Sequence, residues 1–333
     1  MPRRMKLAAL AATTLTAALL LAGCSTAASD SSTGSASAGA TIEHAFGETT
    51  VPANPKNVVT LGWGSTDASI ALGVIPVAIP FDSYAGDKDG VLPWVKDAIE
   101  KDGAAMPTIL PDSPDEPPYE AIAAADPDVI LAVYSGVTEE QYKKLSEIAP
   151  TVAYPDQAWS TPWRDVVTTV GTALGKSDEA KTVLSDIDAQ IAQKASEHPE
   201  FKGKTLAAVA DSSGTFYVYK KNDPRVGFMF DLGFTNAPAV DDLSNGDGTF
   251  FYTLSYEQLD KLQADVVLNY ATTQADADAF TSSPQTSVIP AVAAGHAAQL
   301  VGAQNISAVS PPTALSLPWG LDNLVDTLTA AVK

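Results

Sequence analysis

Two segments of this 333-residue chain repeat one another, and the repeat limits the fold more than any other feature. Tyr119-Glu120 opens a run that ends at Asp128 and passes into Val129-Ile130-Leu131. Tyr256-Glu257 opens a second run that ends at Asp265, at the same spacing, and passes into Val266-Val267-Leu268. A short helix that feeds a buried strand, written twice, predicts two halves built alike. Around each copy, apolar β-branched runs alternate with helical patterns. Residues 58–63, 74–79, 128–134 and 151–154 read as strands, with a helix over 66–73. In the second half 205–210, 216–219 and 266–270 read as strands, and a closing helix is predicted from about Leu321. Strands separated by helices imply parallel sheets covered on both faces.

Between the halves lies a candidate linking helix, 177–199. Ser177 suits its N-cap, Asp178 and Glu179 suit its positive first turn, and Pro199 ends it. Ala180, Val183, Leu184, Ile187 and Ile191 fall on one face. Roughly 22 residues at about 1.5 Å each give a rod about 33 Å long. The expected fold class is α/β, with two Rossmann-like lobes, each with a parallel sheet, joined by one long helix. One large doubly wound sheet with a long crossover helix is the alternative on these patterns.

The N-terminus reads as an export signal. Residues 1–6 are basic, 7–21 are apolar and too short to span a bilayer comfortably, and Leu21-Ala22-Gly23 precedes Cys24. Small residues before a cysteine resemble the lipobox of bacterial lipoproteins, in which that cysteine receives a diacylglycerol and a fatty acid such as palmitate. An ordinary signal peptide with an incidental cysteine is the alternative. Cys24 is the only cysteine, so it has no disulfide partner. The Ser/Ala/Thr/Gly stretch after it cannot bury a core. The expected organisation is a signal peptide over 1–23, a tether over 24–40, an N-terminal lobe over 41–176, the linking helix, and a C-terminal lobe over 200–333. Such a protein sits on the extracytoplasmic face of the cell membrane, held by lipid.

Charge narrows the partners. Forty acidic residues against 20 basic ones give −20, and loss of Arg3, Arg4 and Lys6 with the signal takes the chain to −23. A surface of that sign repels phosphate backbones, so nucleic acid is excluded as a partner. Glu120 and Glu257, at equivalent helix N-termini, each complement a helix dipole by about 0.3–1 kcal/mol. Taken as a pair, one per lobe, they suit docking onto a partner with two like subunits that offer cations.

Several stretches taken in order resemble a known family. They are Val51-Pro52-Ala53-Asn54-Pro55-Lys56-Asn57-Val58-Val59, Asp67-Ala68-Ser69-Ile70-Ala71-Leu72-Gly73, the Tyr119-Glu120 segment through Ile130, and Asp223-Pro224-Arg225-Val226 through Phe234. With the lipobox, they resemble the substrate-binding lipoproteins of ATP-driven (ABC) importers for ferric siderophores, haem and cobalamin. The resemblance implies two lobes bridged by a long helix, a ligand in the cleft, little movement on binding, and no enzyme activity or cofactor. It also implies docking through one glutamate per lobe onto arginines of the permease dimer that works with the ATPase subunits. Glu120 and Glu257 match those positions. A monomer is expected.

No metal site is expected in the protein itself, since the iron arrives already held by its chelator. His44, His198 and His296 are scattered; His44 and His198 read as solvated, and Cys24 is committed to lipid. In α/β lobes ligands sit beyond the carboxyl ends of strands, which selects Trp63, Tyr134, Tyr154 and Tyr270. Trp159, Trp163 and Arg164 in one loop, and Trp319 near the last helix, are further candidates. The resemblance adds Tyr84 and Trp94 in a Gly/Asp-rich insert, and Tyr217 and Arg225 where the second lobe commonly meets the chelate. Arg164 and Arg225 are the only arginines after the signal, and so acidic a chain favours a neutral or weakly positive ferric hydroxamate over a trianionic catecholate. Lys88, Lys220 or Lys221 would offset this if they faced the cleft. A haem or cobalamin binder, a secreted hydrolase and an adhesin are the rivals. The chain carries no Gly-x-Ser-x-Gly or His-Glu-x-x-His pattern and no spare cysteine for catalysis.

Overall fold

The computed structural model describes residues 38–332, apart from Asp247 and Thr249. Cys24 and the proposed signal and tether therefore lie outside the described residues, except for the last three tether positions. A hairpin opens the described chain: β1 (Ala38–His44) pairs antiparallel with β2 (Gly47–Pro52). The first half then alternates strand and helix as β3 (Val58–Thr60), α1 (Ser65–Ala71), β4 (Ala78–Ile79), α2 (Pro93–Lys101), β5 (Thr108–Ile109), α3 (Tyr119–Ala124), β6 (Val129–Leu131), α4 (Glu139–Ile148), β7 (Thr151–Val152) and α5 (Trp163–Ala173). Its five strands form one parallel sheet in the order β5-β4-β3-β6-β7.

A 21-residue helix, α6 (Ser177–Glu197), leads to the second half, and Pro199 starts a 3₁₀ turn just beyond it. Ser177 is the helix's first residue rather than its cap. Lys176 holds the cap position without a side-chain bond, and its Nζ pairs with Glu179 instead. Ala180, Ile187 and Ile191 are buried along one side of the helix, with Val183 and Leu184 packed at its edge.

The second half runs β8 (Thr205–Ser212), β9 (Thr215–Tyr219), α7 (Pro224–Asp231), β10 (Thr235–Asn236), α8 (Pro238–Asp242), β11 (Phe251–Leu254), β12 (Val266–Ala271), α9 (Gln274–Ser282), α10 (Pro290–Ala293), β13 (Ala297–Val301), α11 (Ala303–Ser307) and α12 (Ser316–Ala331). Its sheet has the order β11-β9-β8-β12-β13, with β10 beside β8. This sheet is mixed rather than wholly parallel, because β8, β9 and β11 are successive antiparallel neighbours. The turn Ser212-Ser213-Gly214 is too short for a crossover, so β9 can only fold back on β8. Two separate sheets exclude the single doubly wound sheet.

The repeat is real in three dimensions. In each half the first strand lies at the centre and the strand after the Tyr-Glu segment lies beside it, β6 next to β3 and β12 next to β8. The conserved spacing to the aspartate has a structural cause. Asp128 Oδ2 accepts the backbone N–H groups of Lys56 and Asn57, at the entry to β3. Asp265 Oδ2 accepts the N–H and hydroxyl of Thr205, at the entry to β8. Each carboxylate satisfies donors that the start of a parallel strand leaves unpaired. The two copies differ locally, since α3 is an α-helix and Tyr256–Lys261 is 3₁₀.

Two histidines are less exposed than the sequence suggests. His44 is buried under the hairpin, with Nε2 at 2.9 Å from the Thr49 hydroxyl and its ring against Tyr142. His198 stacks on Phe201 and contacts Glu200 and Thr329. Both sit at strand or helix junctions where a neighbouring ring is at hand, which periodicity cannot register.

Candidate functional site

An open cavity of about 840 Å³ lies between the two sheets, at the carboxyl ends of their strands. The first half supplies Leu61 to Gly64 beyond β3, Ile79 to Tyr84 beyond β4, Leu110 to Pro118 beyond β5, and Ser135 to Thr138 beyond β6. The second half supplies Ala210 and Ser212 from β8, Tyr219 from β9, Tyr270 and Thr272 from the end of β12, and a segment around Ser310 and Thr313 that leads into α12. Parallel strands all end on one side of their sheet, so loops from separate elements converge there.

Of the residues singled out in the sequence, Trp63, Tyr84, Trp94, Trp159, Arg225 and Tyr270 line this cavity. Trp63 and Tyr84 are the most open, at 43% and 51% exposed. The rings of Trp63 and Trp159 lie 4.9 Å apart, and Tyr134 meets both edge-on from below. Trp159 adopts φ 58°, a left-handed conformation that a bulky side chain avoids unless its surroundings impose it. They do so here. Its backbone N–H donates to Ser135, and its indole lies so close to Gly136 that a Cβ there would fall 2.2 Å from Nε1. The insert that carries Tyr84 is equally stiff. Asp82 Oδ1 accepts the N–H groups of Tyr84, Ala85 and Gly86, and Phe81 fills the space above Gly90. At the rim the Tyr84 and Thr272 hydroxyls are 3.1 Å apart, which joins the two halves.

Arg225, at the start of α7, is the floor of the site. Its Nε donates to Asp223 Oδ1 at 2.8 Å, and its guanidinium lies 4.2 Å from the Tyr219 ring centroid. Among the described residues its Nη groups make no hydrogen bond, and the residue lines the cavity. The Tyr270 hydroxyl and Asp223 Oδ2 are buried beside it without a partner. Burial pushes the Tyr219 and Tyr270 phenols up, so both remain neutral donors at ordinary pH. The Arg225 Nη groups and the Tyr270 hydroxyl are donors that can meet acceptor oxygens arriving with a ligand.

The remaining sequence candidates lie elsewhere. Arg164 bonds Asp188 on α6 and Asp231 on α7, so it clamps the link between the halves and does not reach the cavity. Trp163 is buried in the core, because the first turn of α5 points it inward. Tyr134 lies under the two tryptophans, and Tyr154 packs on Phe46 of the hairpin. Tyr217 packs on Phe251, while Tyr219, two residues on and on the same sheet face, lines the cavity in its place. Trp319 lies inside α12, which begins five residues before Leu321, and its ring packs at a tilt against Trp94, with centroids 5.4 Å apart. Lys88 pairs with Asp89 and Lys221 with Asp241, and no lysine lines the cavity.

Sequence reasoning missed Phe81, Tyr219, Asp67 and the acidic lip Asp112, Asp115 and Glu116. Strand alternation from Phe216 places Tyr217 and Tyr219 on one face but does not tell the two apart. Asp67, on α1, is buried, and burial raises its carboxyl to about 6 against the lowering effect of its hydrogen bonds to Thr313, Trp94 and its own backbone N–H. Its Oδ1 accepts Trp94 Nε1–H at 2.8 Å and the Thr313 hydroxyl. Among the described residues no group of three His, Cys, Asp or Glu side chains is placed to hold a metal ion. Glu120 and Glu257 are exposed in the first turns of their helices, and neither forms an ion pair among the described residues.

The sequence profile of periplasmic binding proteins matches residues 58–301, across both sheets and the helix between them. This chain belongs to that family. As a periplasmic binding protein it is a solute-binding protein and not an enzyme. It is 32% identical over 297 residues to the probable siderophore-binding lipoprotein YfiY of Bacillus subtilis, covering 85% of this chain and 87% of that one. It is 26% identical to the iron(3+)-hydroxamate-binding protein YxeB of the same organism, over 66% of this chain and 57% of that one. Its structure resembles PiaA of Streptococcus pneumoniae TIGR4 in complex with ferrichrome, with a TM-score of 0.80 at 31% identity over 88% of this chain and 98% of that one.

Proposed function

We propose that this binding protein captures a ferric siderophore in the interlobe cavity and delivers it to an ABC permease. The observation that carries this reading is the floor of the site. Among the described residues the Arg225 Nη groups and the Tyr270 hydroxyl have no hydrogen-bond partner, they lie at a cavity walled by Trp63, Trp159 and Tyr84, and no metal-ligating set stands beside them. A saturated ferric chelate needs hydrogen-bond donors for its oxygens and apolar walls for its arms, and the cavity offers both. The names of the relatives, a siderophore-binding lipoprotein and a ferrichrome complex among them, support the same ligand class.

Charge favours a hydroxamate. Asp67, Asp82, Asp112, Asp115 and Glu116 line the cavity against Arg225 as the one cation. A tris-catecholate with about three negative charges would meet repulsion there, whereas a neutral or weakly cationic hydroxamate would not. Cys24 carries the lipid that holds the protein at the extracytoplasmic face of the membrane, Glu120 and Glu257 dock it to the two permease subunits that the ATPase drives, and it acts as a monomer. The similarity to a probable siderophore-binding lipoprotein over 85% of this chain and the equivalent placement of the two glutamates support these assignments.

Titration of intrinsic tryptophan fluorescence tests the ligand. Trp63 and Trp159 line the cavity, so ferric hydroxamate is expected to quench them saturably while ferric catecholate, haem and cobalamin bind at least tenfold more weakly. Saturable binding of haem or cobalamin with none of either siderophore class would overturn the reading.

A further inference from the structure

Asp67 is a buried acid at the back of the cavity whose bonds cross from one half of the protein to the other. It sits on α1, in the half built on the parallel sheet. One partner, Trp94 on α2, belongs to the same half, but the other, Thr313, belongs to the segment that leads into α12. The Trp319 ring on α12 packs at a tilt against Trp94, with centroids 5.4 Å apart, so a carboxylate oxygen and an indole ring together tie α12 to α1 and α2. The Thr313 hydroxyl also receives the Ser316 N–H, which fixes the start of α12 to the same point. Thr313, Asp67 and Trp94 all line the cavity wall.

We propose that Asp67 is a positioning residue for ligand capture: it braces the two halves against each other behind the cavity, and the proton on its carboxyl sets how firmly they are held. The inference rests on the cavity being the ligand site. Its surroundings isolate the group. α1 carries no other ionisable residue, and 308–315 carries none. On α2, Lys96 turns outward to Asp87, and on α5, Arg164 is held by Asp188 and Asp231 while Asp165 is exposed. Asp82, across the cavity wall, is the one charged group that acts on Asp67, and it too favours the protonated form.

The sign follows from linkage. In the braced state burial raises the carboxyl to about 6. Parting the halves would hydrate it and return it towards the ordinary value of about 3.9. The state with the higher pKa is stabilised by protons. The brace is therefore tightest in acid and loosens as pH rises through about 6, where a bare carboxylate must stay buried. Between about pH 5 and about pH 7.5 these two values make opening about tenfold more favourable. Asp67→Asn keeps an oxygen acceptor for Trp94 and Thr313 and carries no charge, so it stays tight at every pH.

Hydrogen exchange of the unliganded protein, corrected for intrinsic rates, tests the brace without any ligand. In the wild type, protection of 65–71 and 308–315 is expected to fall about tenfold from about pH 5 to about pH 7.5. Asp67→Asn should be flat and protected across that range, and Asp67→Ala unprotected throughout. A flat wild-type profile, or an Asn variant that follows the wild type, would overturn the brace. The second measurement is the dissociation rate of ferrichrome, a ferric tris-hydroxamate, which should rise over the same range in the wild type and stay constant in Asp67→Asn. A rate that ignores pH while exchange responds would overturn the positioning role. Failure of every chelate to bind would refute the ligand reading, and the exchange profile would still decide the brace.

Discussion

Arg225 meets two demands at once. Its Nε is spent on Asp223 and its face on Tyr219, which fixes the plane of the guanidinium and leaves the Nη edge for a ligand. Hydrogen bonds to a charged group contribute about 1.5–3 kcal/mol, so Arg225→Ala should weaken ferric hydroxamate binding by about 10- to 100-fold in a fluorescence titration. Asp223 would then be left buried without its cation, so a lower melting temperature should accompany the loss. An unchanged dissociation constant would remove Arg225 from the site. Arg225 was legible as a candidate through the family resemblance alone; in the structure Asp223 caps α7 and Pro224 occupies its first turn. Tyr219 was not legible, because two tyrosines on one strand face look alike until the fold shows which one lines the cavity.

At the level of elements, Arg164 shows how a residue with ligand-binding chemistry serves the scaffold instead. It connects α5, α6 and α7, the helices on either side of the link between the halves. The residue is about a third exposed, so screening limits its contribution to about 1 kcal/mol. Arg164→Ala should lower thermal stability by a few degrees at low salt, less at high salt, and leave chelate affinity near that of the wild type. Loss of affinity with no loss of stability would return Arg164 to the site. The strands β3, β6, β8, β9 and β12 and the linking helix were legible from period and composition, whereas the opening hairpin, β5, β10, β11 and β13 were not read. The antiparallel β8–β9 pair was not foreseen, because an apolar run does not state its direction; the short turn between the strands does.

For the whole molecule, the two glutamates matter only as a pair on a frame that holds them in place. Both are exposed, so they affect encounter with a partner more than the fold. Glu120→Ala with Glu257→Ala should leave chelate affinity and melting temperature unchanged and reduce uptake by the reconstituted transporter at least tenfold. Normal uptake by the double variant would remove the docking assignment.

The alternation of strand and helix determined by itself that this chain is α/β with a long helix in the middle, because periodic burial is a local property written in residue order; that the halves keep separate sheets was decided by the tertiary structure. The repeat also held the reason for its spacing, an aspartate that caps the neighbouring strand in each half. Only the tertiary structure decided which aromatic rings face the cavity, that Arg164 is a clamp and Arg225 a floor, and that Asp67 meets Thr313 from the far end of the chain. Those pairings depend on how loops from distant strands converge, and neither spacing nor composition encodes that convergence.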